Sequence, residues 1–279
     1  MSARGCLALA CSLLAVGSEA APPKSKHRID ALQWNPGREC LVDSPSCRTE
    51  AEKKLTELLQ DKDIDLDLAT VIGFGDQSYV APKGWERITS VGKSDSTTLF
   101  YNGTRWKKTA VKTGGSTSGC MVGGEGSYAI ISLYHVDFDY NAVMVAANFP
   151  PPPNFDQGVE ELAAAMRYVS TYSFESSFLL MADTNINQTD EHGSSKELMT
   201  RLGARQPDLT VTTDPENTCC LDSGFTSNLD RVVATIGLKF STQVLFQPTP
   251  TWAVGKFHRA IIGSLHMPML KSQGDVTYV

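Results

Sequence analysis

The sequence predicts an α/β protein in which two packed β-sheets carry helices on their outer faces. Two observations lead there. Strand-like segments run in adjacent groups interrupted by amphipathic helical ones, a pattern that needs layered sheets to bury both. The chain is 279 residues long with 41% hydrophobic and 20% charged residues, ordinary globular values, and no linker-like stretch divides it. A single domain over 21–279 is therefore expected.

The elements follow in order. Ile29–Asn35 is an apolar, strand-like run. Thr49–Gln60 is predicted as a helix, with a Thr49/Glu52 capping box and Ala51, Leu55, Leu58 and Leu59 on one face. Leu66–Phe74 is apolar and β-branched, as in a buried strand. Thr97–Tyr101 and Arg105–Val111 flank Asn102-Gly103, the strongest short hairpin signal. Tyr128–His135 and Ala142–Phe149 predict a second hairpin, and a helix capped at Asp156 follows with Val159, Leu162, Ala163 and Met166 inward. Ser177–Asp183 reads as a strand, Ser194/Glu197 as the capping box of a short helix, and Leu229–Ile236 and Ala260–Leu265 as strands.

Residues 1–20 read as a secretory signal: Arg4, then the apolar run Cys6–Val16, then Ser18-Glu19-Ala20 as a cleavage pattern. The run is too short to span a bilayer and Pro22-Pro23 follow it, so a secreted or secretory-lumen protein without a transmembrane segment is expected. Cys40, Cys47, Cys120, Cys219 and Cys220 then remain. Cys40 and Cys47 can close a local disulfide; Cys120 can pair with Cys219 or Cys220, leaving one thiol over. No histidine has zinc-ligand spacing around them. Asn102-Gly103-Thr104 and Asn187-Gln188-Thr189 are glycosylation sequons. The net charge of −6 does not favour non-specific polyanion binding, although a local basic strip or a bound metal can dominate the field near a site.

Polar residues cluster at strand ends: Asn35, Asp183-Thr184-Asn185, Asp230-Arg231 and His258. Each has an ordinary explanation. Asp-x-Asn commonly closes a turn, Asp-Arg is commonly a surface ion pair, and a lone His is commonly structural. The set in this order resembles the endonuclease/exonuclease/phosphatase (DNase I-like) superfamily. Leu32-Gln33-Trp34-Asn35, Leu99-Phe100-Tyr101 with Arg105-Trp106, Met181-Ala182-Asp183-Thr184-Asn185, Asn228-Leu229-Asp230-Arg231-Val232 and Phe257-His258-Arg259-Ala260-Ile261 are similar to its successive motifs across nearly the whole mature chain.

The resemblance implies a four-layer α/β/β/α sandwich of two packed mixed sheets. It also implies hydrolysis of a phosphodiester, nucleic acid or lipid, by a monomer using Mg²⁺ (or Mn²⁺ or Ca²⁺). Under it, Asp183 activates or positions water, Asn185 and His258 contact the phosphate, Asn35 and Asp230 serve the metal side, and Asn148 occupies the position of a mid-chain catalytic His. Three positions depart from the pattern. Gly73 or Phe74 stands where the metal-binding Glu belongs, with Asp76 two residues on; Asn148 replaces the His; Phe257 replaces the Asp before the terminal His. A register ending in Ser264-Leu265-His266-Met267-Pro268-Met269 also lacks that Asp. On this reading the His258 dyad is broken and activity is weak. The alternative is a catalytically inactive extracellular binding protein, with the Pro150–Pro153 run as a rigid recognition edge. A serine or cysteine hydrolase is not supported, because no Gly-x-Ser-x-Gly occurs.

Overall fold

The computed structural model describes residues 28–74, 78–91, 96–109, 115–137, 140–170, 177–204, 211–212, 217–235 and 240–266. The expected signal segment, Asp76, Val111, Ile236 and the 267–269 tail of the alternative register lie outside them.

A six-stranded sheet runs in the order β12 (Phe240–Val244), β13 (Ile261–His266), β1 (Arg28–Trp34), β2 (Leu68–Ile72), β4 (Ser96–Asn102), β3 (Trp85–Val91). A seven-stranded sheet runs β10 (Val211–Thr212), β11 (Asp230–Ala234), β9 (Ser177–Asp183), β8 (Tyr140–Asn148), β7 (Gly126–His135), β5 (Trp106–Lys108), with β6 (Ser116–Met121) also on β7. Both are mixed, since β1–β2 and β8–β9 are parallel and their other neighbours antiparallel. Helix α1 (Pro45–Gln60) packs Ala51, Leu55, Leu58 and Leu59 onto Leu32, Trp34, Ala69 and Val71 of the first sheet. Helices α2 (Phe155–Ser170) and α3 (Ser195–Arg201) cover Val143, Val145, Leu180 and Val233 of the second. The result is the four-layer sandwich.

Strand alternation decides what lies between the sheets. Ile29 and Ala31 of β1, Met144 and Ala146 of β8, Leu179 and Met181 of β9, and Val232 and Ala234 of β11 share one buried cluster. Every second residue along a strand faces the same way. The same rows, continued to the strand ends, therefore present Gln33, Asn148, Asp183 and Asp230 at one edge of the inter-sheet core.

Three local expectations are corrected. The Asn102-Gly103 turn does not join a hairpin: β4 pairs with β2 and β3, whereas β5 pairs with β7 in the other sheet. Asn102 Oδ1 accepts from the Thr104 backbone N–H and hydroxyl, and Arg105 pairs with Asp65 and Asp67, so the turn carries the chain between layers. Helix α1 starts four residues before Thr49. Ser44 caps it, accepting from Cys47 N at 3.4 Å, and the Thr49 hydroxyl bonds back to Pro45 O. Arg231 is no surface ion pair. It is buried and donates to the carbonyls of Ile186 (2.8 Å) and Gly193.

Only the first residue of the proline run is interior. Pro150 is buried and Pro151–Pro153 are exposed. Pro150 is wedged against Gly126 and Gly158; a Cβ on Gly158 would sit 2.6 Å from Pro150 Cδ. Gly158→Ala therefore overpacks the junction of β8 and α2 and is expected to destabilise the fold by about 1–3 kcal/mol, measurable by denaturant unfolding. A change below a few tenths of a kcal/mol would show the wedge to be slack.

Candidate active site

Asp183 and Asp230 face one another across the β9–β11 ladder, and His258 lies between them. Its Nδ1 is 2.7 Å from Asp230 Oδ2 and 3.7 Å from Asp183 Oδ2. The other Asp230 oxygen accepts from Gln33 Nε2 at 3.2 Å. Asp183 Oδ2 accepts from Asn35 Nδ2 at 2.7 Å, and Oδ1 accepts from the Asn185 N–H at 3.0 Å. Asp183, Asp230 and His258 are all buried, with Asp183 fully so.

The backbone fixes this placement. His258 N donates to Asn35 O at 3.1 Å, tying the ring to the end of β1. Asn35 Oδ1 accepts from Gly37 N at 2.9 Å. Gly37, at φ +85°, lies so close to the next segment that a Cβ would sit 2.6 Å from Lys256 O. Only glycine fits that approach without strain. Thr218 adds a further tie, its hydroxyl accepting from Asp230 N at 3.2 Å and its carbonyl from Arg259 N at 2.9 Å.

The expectation of a broken dyad is corrected here. Phe257 brings no carboxylate, yet His258 has one, because the sheet supplies Asp230 from a strand distant in sequence. Asp230, expected on the metal side, instead spends both oxygens on Gln33 and His258. His266 ends β13 opposite Arg28, at the far end of the strand pair and roughly 20 Å away by strand rise, so His258 is the histidine at this site. The expectation that a metal-binding Glu is absent at 73 or 74 can be followed in the backbone there. Gly73 takes φ +85° at the end of β2 and breaks the alternation, and Phe74 packs on Trp34 and Tyr79 in the α1-side cluster. Phe257 belongs to the same cluster, edge-on to Trp34 and Trp252. Neither position offers a donor to the site.

Asn185 and Asn148 form its rim. Asn185 adopts φ +50°, and its Nδ2 donates to Asn148 Oδ1 at 3.2 Å and Phe149 O at 2.8 Å. Both amide hydrogens are thus turned inward rather than toward a phosphate, and Asp183-Thr184-Asn185 is also the Asx turn its composition suggests. Sequence reasoning missed Gln33, Thr218 and Cys220 as neighbours of the site. Gln33 was within reach, being two residues before Asn35 on the same strand face.

Burial alone would favour a neutral His258 ring, but the charges of Asp230 and then Asp183 outweigh it and hold the imidazole up at about 9. Asp183 is raised, above all by burial; the His258 charge and the hydrogen bonds from Asn35 and Asn185 oppose that, while Asp230 adds to it. The centre can therefore hold a proton next to a carboxylate at neutral pH. Asp183, Asp230 and His258 place one ligand atom each within 4.8 Å of one another, a set that can hold a metal ion. It mixes two carboxylates with an imidazole whose Nδ1 is already hydrogen-bonded. An ion there must exchange that bond for its own, and such a mixed set suits Zn²⁺ or Mn²⁺ better than a cation that wants oxygen alone.

No protein-family model matches the sequence. No curated protein matches it either. Solved structures do. An endonuclease/exonuclease/phosphatase from Bacteroides vulgatus superposes with a TM-score of 0.63 at 12% identity, covering 87% of this chain and 100% of its own. The chain has the endonuclease/exonuclease/phosphatase fold. The human Nocturnin catalytic domain, solved with a bound sulfate anion, gives 0.59 at 12% identity, covering 86% and 94%. A mannosyl-6-phosphatase from Bacteroides thetaiotaomicron gives 0.58 at 10%, covering 84% and 98%. In this fold the polar cluster at the edge of the inter-sheet core joins the ends of β1, β9 and β11 with the segment leading into β13. No described helix is long and apolar enough to cross a membrane.

The raised His258 gives a pH signature. Its proton is held more tightly in the folded chain, so the stability it contributes is fully present below pH 6.5 and is lost as pH rises through about 9. The melting temperature of the protein should fall across that window, by a free energy on the order of 3 kcal/mol. His258→Gln, which keeps a donor for Asp230, should flatten the curve there. Parallel curves for the two proteins would place the pH response elsewhere.

Proposed function

We propose that the chain is a divergent member of the endonuclease/exonuclease/phosphatase superfamily that hydrolyses phosphodiesters slowly, as a single domain following an export leader. The observation that carries this reading is the convergence of Asn35, Asp183, Asp230 and His258. Asp183, raised by burial, accepts a proton from an attacking water. Asn35 holds the Asp183 carboxylate in position. Asp230 orients His258 through Nδ1, leaving Nε2 as the ring atom available to a phosphate oxygen. The anion bound in the Nocturnin structure supports a phosphate-sized ligand on this fold. A divalent ion, Mg²⁺ or Mn²⁺, would be held by Asp183 with Asn35 and would supply charge neutralisation at the phosphate. Without carboxylates at 74 and 257 its hold would be weak, hence the slow rate. Export rests on residues 1–20, and the sequons at Asn102 and Asn187 fit a secreted monomer.

A second reading, a binding protein without turnover, is favoured by one feature: Phe74 and Phe257 are committed to the α1-side core. The two readings separate by assay. Hydrolysis of bis(p-nitrophenyl) phosphate should require Mg²⁺ or Mn²⁺, disappear with a chelator, and fall about 10²–10⁴-fold in Asp183→Asn and in His258→Gln. Turnover unchanged in both variants, or none in the parent protein, would remove the hydrolase reading.

A further inference from the structure

His258 has a neighbour on the side away from Asp230. Cys220 Sγ lies 3.6 Å from Nε2, and Cys220 is bridged to Cys219. Cys40 is bridged to Cys47, and Cys120 lies outside both bridges, so the expected pairing of Cys120 with Cys219 or Cys220 does not form. The contact with His258 is held by main chain on both flanks. Leu221 N donates to Phe257 O at 3.0 Å and Arg259 N to Thr218 O at 2.9 Å, so the two residues bracketing the ring are tied to the two bracketing the cysteine pair. The cysteine loop is closed on itself by Cys219 N to Ser227 O and Ser227 N to Cys219 O, both at 2.9 Å. The sulfurs of Cys219 and Cys220 and a nitrogen of His258 all lie within 4.8 Å of one another.

We propose that Cys219, Cys220 and His258 form a reduction-gated site for a thiophilic divalent ion of the Zn²⁺ kind. In the bridged state neither sulfur is a thiolate, and the site is closed. A dithiol reductant opens it: one of its thiolates attacks the Sγ of Cys220, the less buried residue of the two, and the S–S bond breaks with Cys219 leaving as thiolate. The second thiol of the reductant then displaces Cys220 from the mixed disulfide. Two electrons and two protons pass to the protein, and the reductant becomes a disulfide. Two thiolates and Nε2 then offer sulfur and nitrogen ligands, the donors Zn²⁺ prefers, with a position left open. Asp230 on Nδ1 completes the arrangement. A ligating imidazole commonly gives its other ring N–H to a carboxylate, which fixes its tautomer and strengthens the bond to the ion. Binding releases the thiol and Nε2 protons. The site does not depend on hydrolytic activity, but it uses the ring nitrogen that a phosphate would need.

The test uses the full chain and Co²⁺ as a spectroscopic probe. The protein is reduced with dithiothreitol, freed of it by anaerobic gel filtration, and titrated with Co²⁺. Near-ultraviolet thiolate-to-cobalt absorption should develop in the reduced protein, be absent from the untreated protein, be displaced by Zn²⁺, and persist in Cys120→Ser. It should be lost in Cys219→Ser/Cys220→Ser and weakened in His258→Gln. No band in the reduced protein, an equal band without reduction, or a band surviving the double substitution would overturn the site. Should the double variant not fold, iodoacetamide-blocked reduced protein replaces it: the blocked chain must lose the band, and peptide mapping must find Cys219 and Cys220 modified. A chain that binds Co²⁺ this way yet cleaves no phosphodiester separates this site from the hydrolase reading.

Discussion

Two carboxylates placed directly opposite each other on neighbouring strands repel, and Asp183 and Asp230 are so placed with almost no access to water. Everything around the site answers that constraint. One positive group must lie within reach of both, and the remaining oxygen lone pairs need donors that carry no further negative charge. His258 supplies the first; Gln33, Asn35 and the Asn185 amide supply the second. Amides fill these positions well because they donate without adding charge. The same arrangement explains why the ring is held protonated, while burial, with Asp230 beside it, raises Asp183 above the usual carboxylate range.

The scaffold meets the constraint by continuing the strand rows. Residues that build the inter-sheet core alternate along β1, β8, β9 and β11, and the next residue in each row at the strand end is polar. The segments that close over the site carry backbone features no strand pattern includes. Gly37 lets the chain after β1 press against Lys256, and Gly73 turns Phe74 away from the space between the sheets. The first brings His258 in. The second leaves that strand end without a side-chain donor to the site, so one backbone geometry completes the dyad while another directs its neighbour into the α1-side core.

The legible parts of the sequence were those governed by local rules. The apolar run within Ser177–Asp183 and the Ser194/Glu197 capping signal describe what forms, because a few neighbouring residues decide both. The Asn102-Gly103 turn was misread as a hairpin, since the pairing partner of the next strand is chosen by burial of Trp106 in the second sheet and not by the turn. Likewise Phe257 looked like the loss of a dyad because the carboxylate was sought next to the histidine in sequence. The fold delivers it from 28 residues away, a contact only the assembled sheets create. Cys219 and Cys220 were weighed as disulfide partners and a zinc site was set aside, because no spacing rule connects Cys220 to a histidine 38 residues on.

His258 therefore has two distinct sides. Nδ1 belongs to the carboxylate pair and is fixed by the electrostatics of the buried strands. Nε2 faces the cysteine loop, which is tied to the histidine segment by hydrogen bonds on both flanks and moves only if they open. A phosphate approaching Nε2 would accept its N–H, whereas an ion bound by the sulfurs would take the lone pair left when that proton goes, so under the two proposals the ligands exclude one another at a single ring atom. With its carboxylate partner secured by the sheets, the ring is oriented in either state. What changes between them is the ligand it can accept.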